Sequence, residues 1–495
     1  MSAAQALPEL LRGFASAIPP VRVTGLELDS RRVQAGDLFL ACKGASHHGL
    51  SHLDQAVDNG ATAVAWEPAA GLSPPQQLPA VAVEQLSQKV GAIAARFYGN
   101  PSQKMFVAGI TGTDGKTSTA HLIAQALEQL GEPCAYLGTL GYGRLHELAS
   151  ASHTTPDAVR LQALLASSVE SGTRAASMEV SSHALDQHRV GGMKFDVAVL
   201  TNITRDHLDY HGTVENYAAA KQRLFAFEGL KARVLNRDDA HGRQWAAQIG
   251  HDATLYGIGG EAPTAGRYVL ADEPVLNADG IVFGIHSSWG RSEVRSRLLG
   301  RFNVYNLLAT LTVLLEKGVA LHKAVEVLSR VHTVPGRIEG FRGPKAKALV
   351  VVDYAHTPQA LEQILQAVRA HCAGTLWCVF GCGGDRDRGK RPLMGATAMK
   401  FADRVIVTDD NPRSEAPGVI ADAIIAGLSA GTRNSVRVIH DRAEAIRMAV
   451  QSALATDVVV VAGKGHEQTQ TYGNDIRAFS DRAFVAGLVG TEVRS

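Results

Sequence analysis

MFVAGITGTDGKTSTAHLIAQALEQLG, residues 105–131, decides the fold. Its opening apolar run reads as a buried strand, and the run from Lys116 onward has the spacing of an amphipathic helix. Between them stand Gly109, Gly112 and Gly115. Phosphates need unshielded backbone N–H groups at a helix amino terminus, and glycine lets the backbone come close. Lys116 supplies a point charge for outer phosphates, and Thr117 a hydroxyl suited to Mg²⁺. The common phosphate-loop motif would have glycine at position 110; here Ile110 is flanked by Gly109 and Gly112. The nucleotide-binding candidates are therefore Gly112, Thr113, Asp114, Gly115, Lys116, Thr117 and Ser118.

Outward from this loop the same rhythm continues. Strand-like runs at AYLGTLG, RAASMEVSS and FDVAVLTN alternate with helical ones, which predicts a parallel sheet covered by helices. Upstream, VTGLELDS, GDLFLACKG and ATAVAWE form a smaller α/β unit that ends at the turn Asn100-Pro101-Ser102. From about Gly257 to Leu299 the pattern suggests an antiparallel annex. After VPGRIEGFRGP the rhythm restarts with ALVVVDYAHTP, TLWCVFGCGG, ADRVIVTDDNP and DVVVVAGKG. The expectation is an α/β protein of three domains: 1–102, a central parallel-sheet P-loop-type ATPase domain over 103–336, and a Rossmann-like 337–495. A chain of 495 residues is long enough for that number.

Bulk properties narrow the function. Lys and Arg number 49 against 48 Asp and Glu, a formal net charge of +1. Nucleic-acid and membrane-surface binders carry a basic excess that is missing here. No signal peptide is visible, and the longest apolar runs are too short to span a bilayer. Five cysteines, Cys42, Cys134, Cys372, Cys378 and Cys382, form no C-x-x-C pair. They fit reduced thiols in the cytoplasm, with Cys378 and Cys382 as core residues.

Glu179 in MEVSSHAL and His207 in TNITRDHLDYHG each follow an apolar run, where strand ends face the ligand crevice of an open α/β sheet. Both can ligate a metal. Lys221, in NYAAAKQRLF, reads by itself as a solvated helix lysine. Asn303 and Asn306 share a helix face and offer the donor and acceptor that an adenine edge requires. No side-chain nucleophile is signalled; Ser181 and Ser182 lack the glycines of a strained elbow.

GTDGKT resembles the loop of the muramyl-peptide (Mur) ligase and folylpolyglutamate synthase superfamily, in which Asn usually stands at the place of Asp114. The likeness runs in order through DSRRV, GITGTDGKTS, HTTPDA, EVSSHALDQHRV, the Lys221 segment, GRFNVYN, VPGRIE, DYAHTP, GCGGDRDRGKRP, DNPR and GKGHE. It matches the members that add the third stem-peptide residue to UDP-N-acetylmuramoyl-L-alanyl-D-glutamate. The resemblance implies that Lys221 is carbamylated and joins Thr117, Glu179 and His207 in holding Mg²⁺. Arg337 and Asp353 would contact phosphate and ribose of ATP. Leu28, Ser30 and the Ala45-Ser46-His47 loop would hold the uridine end. Thr154, Thr155, Ser181, Gln187 and Arg189 would hold the muramyl dipeptide.

By the same resemblance, Asp410-Asn411-Pro412-Arg413 selects the incoming amino acid, with Arg386, Gly463 and Glu467. Meso-diaminopimelate has a distal carboxylate that lysine lacks, and Arg413 can grip it with a paired hydrogen bond. Asp410 and Glu467 can accept the distal ammonium. The implied reaction is an ATP-dependent ligation through an acyl phosphate, by a monomer whose partners are small molecules. Rival readings are a sister ligase that uses lysine or builds folyl polyglutamate, a non-catalytic ATP-binding scaffold, and a kinase or simple ATPase.

Overall fold

The computed structural model describes residues 4–44, 47–73, 75–264, 266–429 and 436–491. The chain folds into two compact units.

The first unit, mainly residues 1–257, holds two main sheets beside a short antiparallel pair, Gln5–Ala6 with Arg22–Val23. The amino-terminal one is wholly parallel in the order β1 (Gly25–Glu27), β2 (Asp37–Ala41), β3 (Ala63–Trp66), β4 (Ala80–Ala82), followed by α1 (Leu86–Phe97). The second sheet begins with β5 (Phe106–Thr111), which leads into α2 (Lys116–Gln129). Its other strands as far as residue 258 are β6 (Cys134–Gly138), β7 (Gly141–Arg144), β8 (Glu147–Ala149), β9 (Ala175–Glu179), β10 (Val197–Leu200), β11 (Ala232–Asn236) and β12 (Ala253–Ile258). Their order is β8-β7-β6-β9-β5-β10-β11-β12. Pairing is parallel from β6 through β12 and antiparallel at β7 and β8. The strand bearing the phosphate loop is thus central, and β5, β9 and β10 all end on one edge, where an open α/β sheet binds ligand.

Between the two sheets the chain is anchored. Asn100 takes a left-handed φ of 52° ahead of a 3₁₀ turn, and Ser102 is fully buried with its hydroxyl accepting from the Lys194 N–H at 3.0 Å. Helix α1 packs on α3 (Ala158–Glu170). A Cβ on Gly91 would lie 2.1 Å from the Gly191 carbonyl oxygen. The turn expected at Asn100-Pro101-Ser102 is present, and packing anchors the chain on both sides of it.

In the second unit, β13 (Gly280–Ser287) and β14 (Gly290–Ser296) form the core of the antiparallel annex. Helix α4 (Phe302–Glu316) follows. The last sheet runs β15 (Glu339–Phe341), β16 (Leu349–Asp353), β20 (Val458–Ala462), β17 (Leu376–Phe380), β18 (Arg404–Val407), β19 (Val436–Val438), parallel apart from β15. The unbroken valine runs that announced it have a simple cause. Leu349, Val351, Val458 and Val460 pack into one core, while Val350, Val352, Val459 and Val461 pack into another on the opposite face. A strand buried on both faces cannot alternate. Cys378 and Cys382 lie in the first of these cores, as expected. Among the described residues no helix is long and apolar enough to cross a membrane.

Candidate active site

The phosphate loop is built as the glycines require. Gly112 has φ 144°, and a Cβ there would stand 1.9 Å from the Thr201 hydroxyl and 3.0 Å from the Asn202 carbonyl. Gly115, at φ 82°, caps the amino end of α2. The loop is laced to the end of β10. The Thr113 N–H donates to the Asn202 carbonyl at 2.8 Å and the Asp114 N–H to the Asn202 side-chain oxygen at 3.0 Å. The Thr201 hydroxyl donates to the Asp114 carbonyl at 2.6 Å. Asp114 therefore serves through its backbone, and its side chain is exposed. Ser118 is half-buried in the first turn of α2.

Lys116 turns back onto its own loop, donating to the carbonyls of Gly112 at 2.9 Å and Thr113 at 2.7 Å. Burial lowers its proton affinity, while the charges of Glu179 and, more weakly, Asp114 raise it. Lys221 comes to the same place from 109 residues away, its amine donating to the Gly112 carbonyl at 2.7 Å. It is 1% exposed and lies 4.4 Å from the centre of the Tyr217 ring. Burial, helped by the positive charge of Lys116, pulls its pKa down to about 6. The solvated helix lysine suggested by the local sequence is thus a buried amine beside the phosphate loop.

Glu179 ends β9 and is buried. It accepts from the Thr117 hydroxyl at 2.8 Å, the Tyr136 hydroxyl at 2.6 Å and the Thr139 N–H at 2.8 Å. Burial and the Glu179 charge push the Tyr136 phenol far up, so it remains a donor. His207 stands at the rim with a left-handed φ of 51°, its Nε2 3.4 Å from Asp206. Its ring meets His183 edge-on at 4.9 Å and lies 6.2 Å from Tyr217. Among the described residues no group of three or more His, Cys, Asp or Glu is set to hold a metal. The oxygen donors brought together are Thr117 and Glu179, while Lys221 reaches the phosphate loop at the Gly112 carbonyl.

The dipeptide candidates form one hydrogen-bonded chain next to Glu179. The Thr155 hydroxyl donates to the Glu179 carbonyl at 2.8 Å and accepts from the Ser181 N–H at 3.1 Å. Arg189 donates to the Thr155 carbonyl at 3.1 Å and to the Gln187 side chain at 2.6 Å. The Thr154 and Thr139 hydroxyls are 3.2 Å apart. Of the uridine candidates, Ser30 is buried with its hydroxyl on Gln55 at 2.7 Å, and the Leu28 N–H donates to Glu27. His47 is exposed. Ala45 and Ser46 lie outside the described residues.

In the second unit Asn303 and Asn306 share a face of α4, both buried. The Asn306 amide donates to the Asn303 oxygen at 2.8 Å, and the Asn303 amide to the Leu299 carbonyl at 2.7 Å. Asp353 ends β16 and accepts from the Ile338 and Ala355 N–H groups, both at 2.7 Å. Its carboxyl is raised by burial. Ile338 is held at φ 43°, a strained place for a β-branched residue. The neighbouring Arg337 is exposed, its guanidinium 5.4 Å from the Tyr354 ring centre.

The amino-acid candidates gather at the carboxyl ends of β17, β18 and β20. A Cβ on Gly463 would meet Asp410 at 2.7 Å, and one on Gly383 would lie 2.9 Å from the Arg413 guanidinium and 3.6 Å from the Arg386 Cγ. Arg413 has φ 52° and donates to the Gly384 carbonyl at 2.7 Å. Pro412 holds its place between Asn411 and Arg413. The Asn411 amide donates to Glu467 at 3.0 Å, and the fully buried Lys464 donates to the same carboxylate at 2.8 Å. Burial raises the Asp410 carboxyl; at Glu467 burial acts the same way, but the hydrogen bonds from Lys464 and Asn411 bring its carboxyl below the usual range.

Sequence reasoning missed Thr201, Asn202, Tyr136 and Lys464. A polar Thr-Asn pair directly after the FDVAVL strand was a usable signal for the first two; nothing local marks Tyr136.

Three family models match in chain order: Mur ligase family, catalytic domain over residues 22–98; Mur ligase middle domain over 110–314; and Mur ligase, glutamate ligase domain over 336–465. The chain is 49% identical over 481 residues, 95% of each chain, to the UDP-N-acetylmuramoyl-L-alanyl-D-glutamate--2,6-diaminopimelate ligase of Alkalilimnicola ehrlichii. It is also 49% identical over 463 residues, 93% of this chain and 94% of the other, to the same-named protein of Ectopseudomonas mendocina. A solved structure of a ligase of that name superposes with a TM-score of 0.80 at 37% identity, covering 99% of both chains. Matched from its first sheet to its last at such identity, the chain belongs to the Mur ligase family.

Proposed function

We propose that this chain joins meso-2,6-diaminopimelate to the D-glutamyl carboxylate of UDP-N-acetylmuramoyl-L-alanyl-D-glutamate at the expense of ATP, a step of peptidoglycan precursor synthesis. The observation that carries the reading is the end-to-end match to relatives of that name. The cluster of buried Asp410 and Asn411 with half-buried Glu467 and Arg413 supports it, because it offers opposite charges for a molecule with an ammonium and a carboxylate at its far end.

A D-glutamyl carboxylate oxygen attacks the γ-phosphorus of ATP, the bond to the bridging oxygen breaks, and ADP leaves an acyl phosphate. The diaminopimelate amine then adds to the acyl carbon and loses a proton as inorganic phosphate departs. Lys116 exchanges its loop carbonyls for phosphate oxygens, and the loop N–H groups oppose the charge that develops. Thr154, Thr155, Ser181, Gln187 and Arg189, in register with Glu179, hold the acceptor carboxylate in line. Such positioning can contribute about 7–11 kcal/mol. By the family resemblance Asn303 and Asn306 would contact adenine, and Arg337 and Asp353 phosphate and ribose.

Thr117 and Glu179 are hard oxygen donors 2.8 Å apart, the chemistry that suits Mg²⁺. Lys221, largely neutral near pH 7, is ready to add CO₂; the new N–C bond gives a carbamate and releases one proton. Thr117, Glu179 and carbamylated Lys221 would hold Mg²⁺, with His207 the outlying nitrogen donor. The bound cation neutralises charge on the transferred phosphoryl group. The domains of this reading are 1–102 for the uridine end, 103–336 for ATP and 337–495 for the amino acid. The enzyme works as a cytoplasmic monomer, in keeping with five free thiols.

Phosphate release with ATP, Mg²⁺ and the nucleotide dipeptide, supplied with meso-diaminopimelate or L-lysine, tests the reading. Turnover confined to diaminopimelate, with a tripeptide product by mass, is expected. Equal turnover with lysine removes the role of Arg413, and none with either amino acid leaves a non-catalytic scaffold.

A further inference from the structure

Beyond the last core strand the chain forms a two-stranded arm, β21 (Thr469–Tyr472) and β22 (Asp475–Ala478). Tyr472 pairs with Asp475 across a tight turn that begins with Gly473 at φ 57°, where glycine suits the hairpin twist. All of β22 is exposed. An isolated hairpin of this size is marginal in water, so the arm depends on whatever β21 touches.

What β21 touches is the segment that carries Arg413. The Gln470 amide, 6% exposed, donates to the carbonyls of Asp409 at 3.2 Å and Asp410 at 2.9 Å. The Thr471 N–H donates to the Asn411 side-chain oxygen at 3.0 Å. The Arg413 N–H donates to the Thr471 carbonyl at 2.9 Å, and the Gly473 N–H to the Arg413 carbonyl at 2.6 Å. The Tyr472 hydroxyl reaches Asp409 at 3.1 Å, whose other oxygen pairs with His440 at 2.8 Å. Every residue from Asp409 to Arg413 except Pro412 is thus held by the arm. Arg413 itself sits at φ 52°, a conformation unfavourable for a residue with a Cβ unless its surroundings enforce it.

We infer that this arm is a specificity element: Gln470 and Tyr472 are positioning residues that tie the arm to Asp409 and Asp410, so that the arm's backbone at Thr471 and Gly473 fixes Arg413, and through it the guanidinium that selects the distal carboxylate of the incoming amino acid. The inference rests on the proposed ligase reading. A paired guanidinium–carboxylate bond tolerates little error in angle, and Arg413 has few other means of orientation besides the Gly384 carbonyl. Loosening the arm therefore weakens the hold on the distal carboxylate, while a ligand without that group loses nothing.

The test uses full-length Gln470→Leu, which keeps size and removes both amide donors, and Tyr472→Phe, which keeps the ring and removes only the hydroxyl. Expected for the pair combined is a KM for meso-diaminopimelate raised about tenfold, with kcat and the KM values for ATP and the nucleotide dipeptide within about twofold. The ratio of kcat/KM for diaminopimelate over lysine falls by the same factor. In an Arg413→Ala background, adding Tyr472→Phe produces no further rise, since the two act through one contact. An unchanged diaminopimelate KM overturns the inference. So does a parallel loss with both amino acids and with ATP, which marks a merely structural arm. Because Tyr472→Phe deletes one oxygen, it decides between these outcomes even where Gln470→Leu fails to fold. A wild-type chain inactive with diaminopimelate removes the ligase reading and the inference with it, and that failure is seen before any variant is made.

Discussion

Around the phosphate loop, two lysine side chains from distant segments meet at the Gly112 carbonyl, and one carboxylate, Glu179, gathers three donors. Around Arg413 the side chains are fewer, and the backbone is what is held: from Asp409 to Arg413 it is pinned by Gln470, Thr471 and Gly473. The first region does its work with charge placed at the end of parallel strands. The second does it with a backbone conformation that its own sequence does not favour. Deleting a charge should therefore damage the first in the chemical step, and altering shape should damage the second in recognition.

The largest break comes from Lys116→Ala. Loss of a charge aimed at the transferring phosphoryl group lowers kcat by about 10³-fold. The KM for diaminopimelate stays unchanged, and phosphate release at saturating substrates reads the effect. A fall in diaminopimelate affinity instead would erase the contrast between the regions.

Lys221→Ala comes next, with kcat down by about 10²-fold and partly restored by short-chain carboxylates that take the place of the carbamate. Full activity in that variant removes the amine from the mechanism. The pH dependence has a definite sign. With a folded-state pKa of about 6, against an ordinary lysine value well above it, the amine is about nine-tenths neutral at pH 7. Reactivation of CO₂-depleted enzyme by bicarbonate should be fast at pH 7 and slow as pH falls through 6, because the protonated amine cannot attack carbon. The same shift means that the unfolded chain binds the extra proton between these pKa values, so the unmodified chain gains stability as pH rises through that window.

On the recognition side, Arg413→Lys keeps the charge and loses the planar fork. It should lower kcat/KM for diaminopimelate about tenfold while leaving kcat nearly intact. Progress curves with diaminopimelate and lysine in parallel measure it, and an equal loss with both substrates would show that Arg413 does not read the distal carboxylate.

How far the sequence could be read follows the same division. The strand–glycine–lysine–helix order at 105–131 and the valine runs of the last sheet are local patterns with direct physical causes, so the layers and the phosphate loop were legible. Glu179 was legible because strand ends face the crevice. Lys221 was not legible from its own segment, which reads as a solvated helix lysine; the resemblance named it, and the tertiary approach of its helix to Gly112 is what buries it. Tyr136 carries no local mark, since its role depends on β6 lying beside β9. The arm at 469–478 was invisible for the same reason, because every bond that gives it meaning joins residues about sixty positions apart. Resemblance supplied the DNPR segment, but not what keeps it in place.

Asp114→Asn should have the smallest effect, within about twofold on kcat and on the KM for ATP. Everything Asp114 contributes to the loop is backbone: its N–H meets the Asn202 oxygen, and its carbonyl accepts from the Thr201 hydroxyl and the Asn202 amide. Asparagine supplies the same backbone groups and suits the same turn. The lost charge is exposed, so solvent screens it. It raises the proton affinity of the Lys116 amine, but burial and Glu179 both act more strongly there. A tenfold drop in the KM for ATP would show instead that this carboxylate faces the phosphates and repels them.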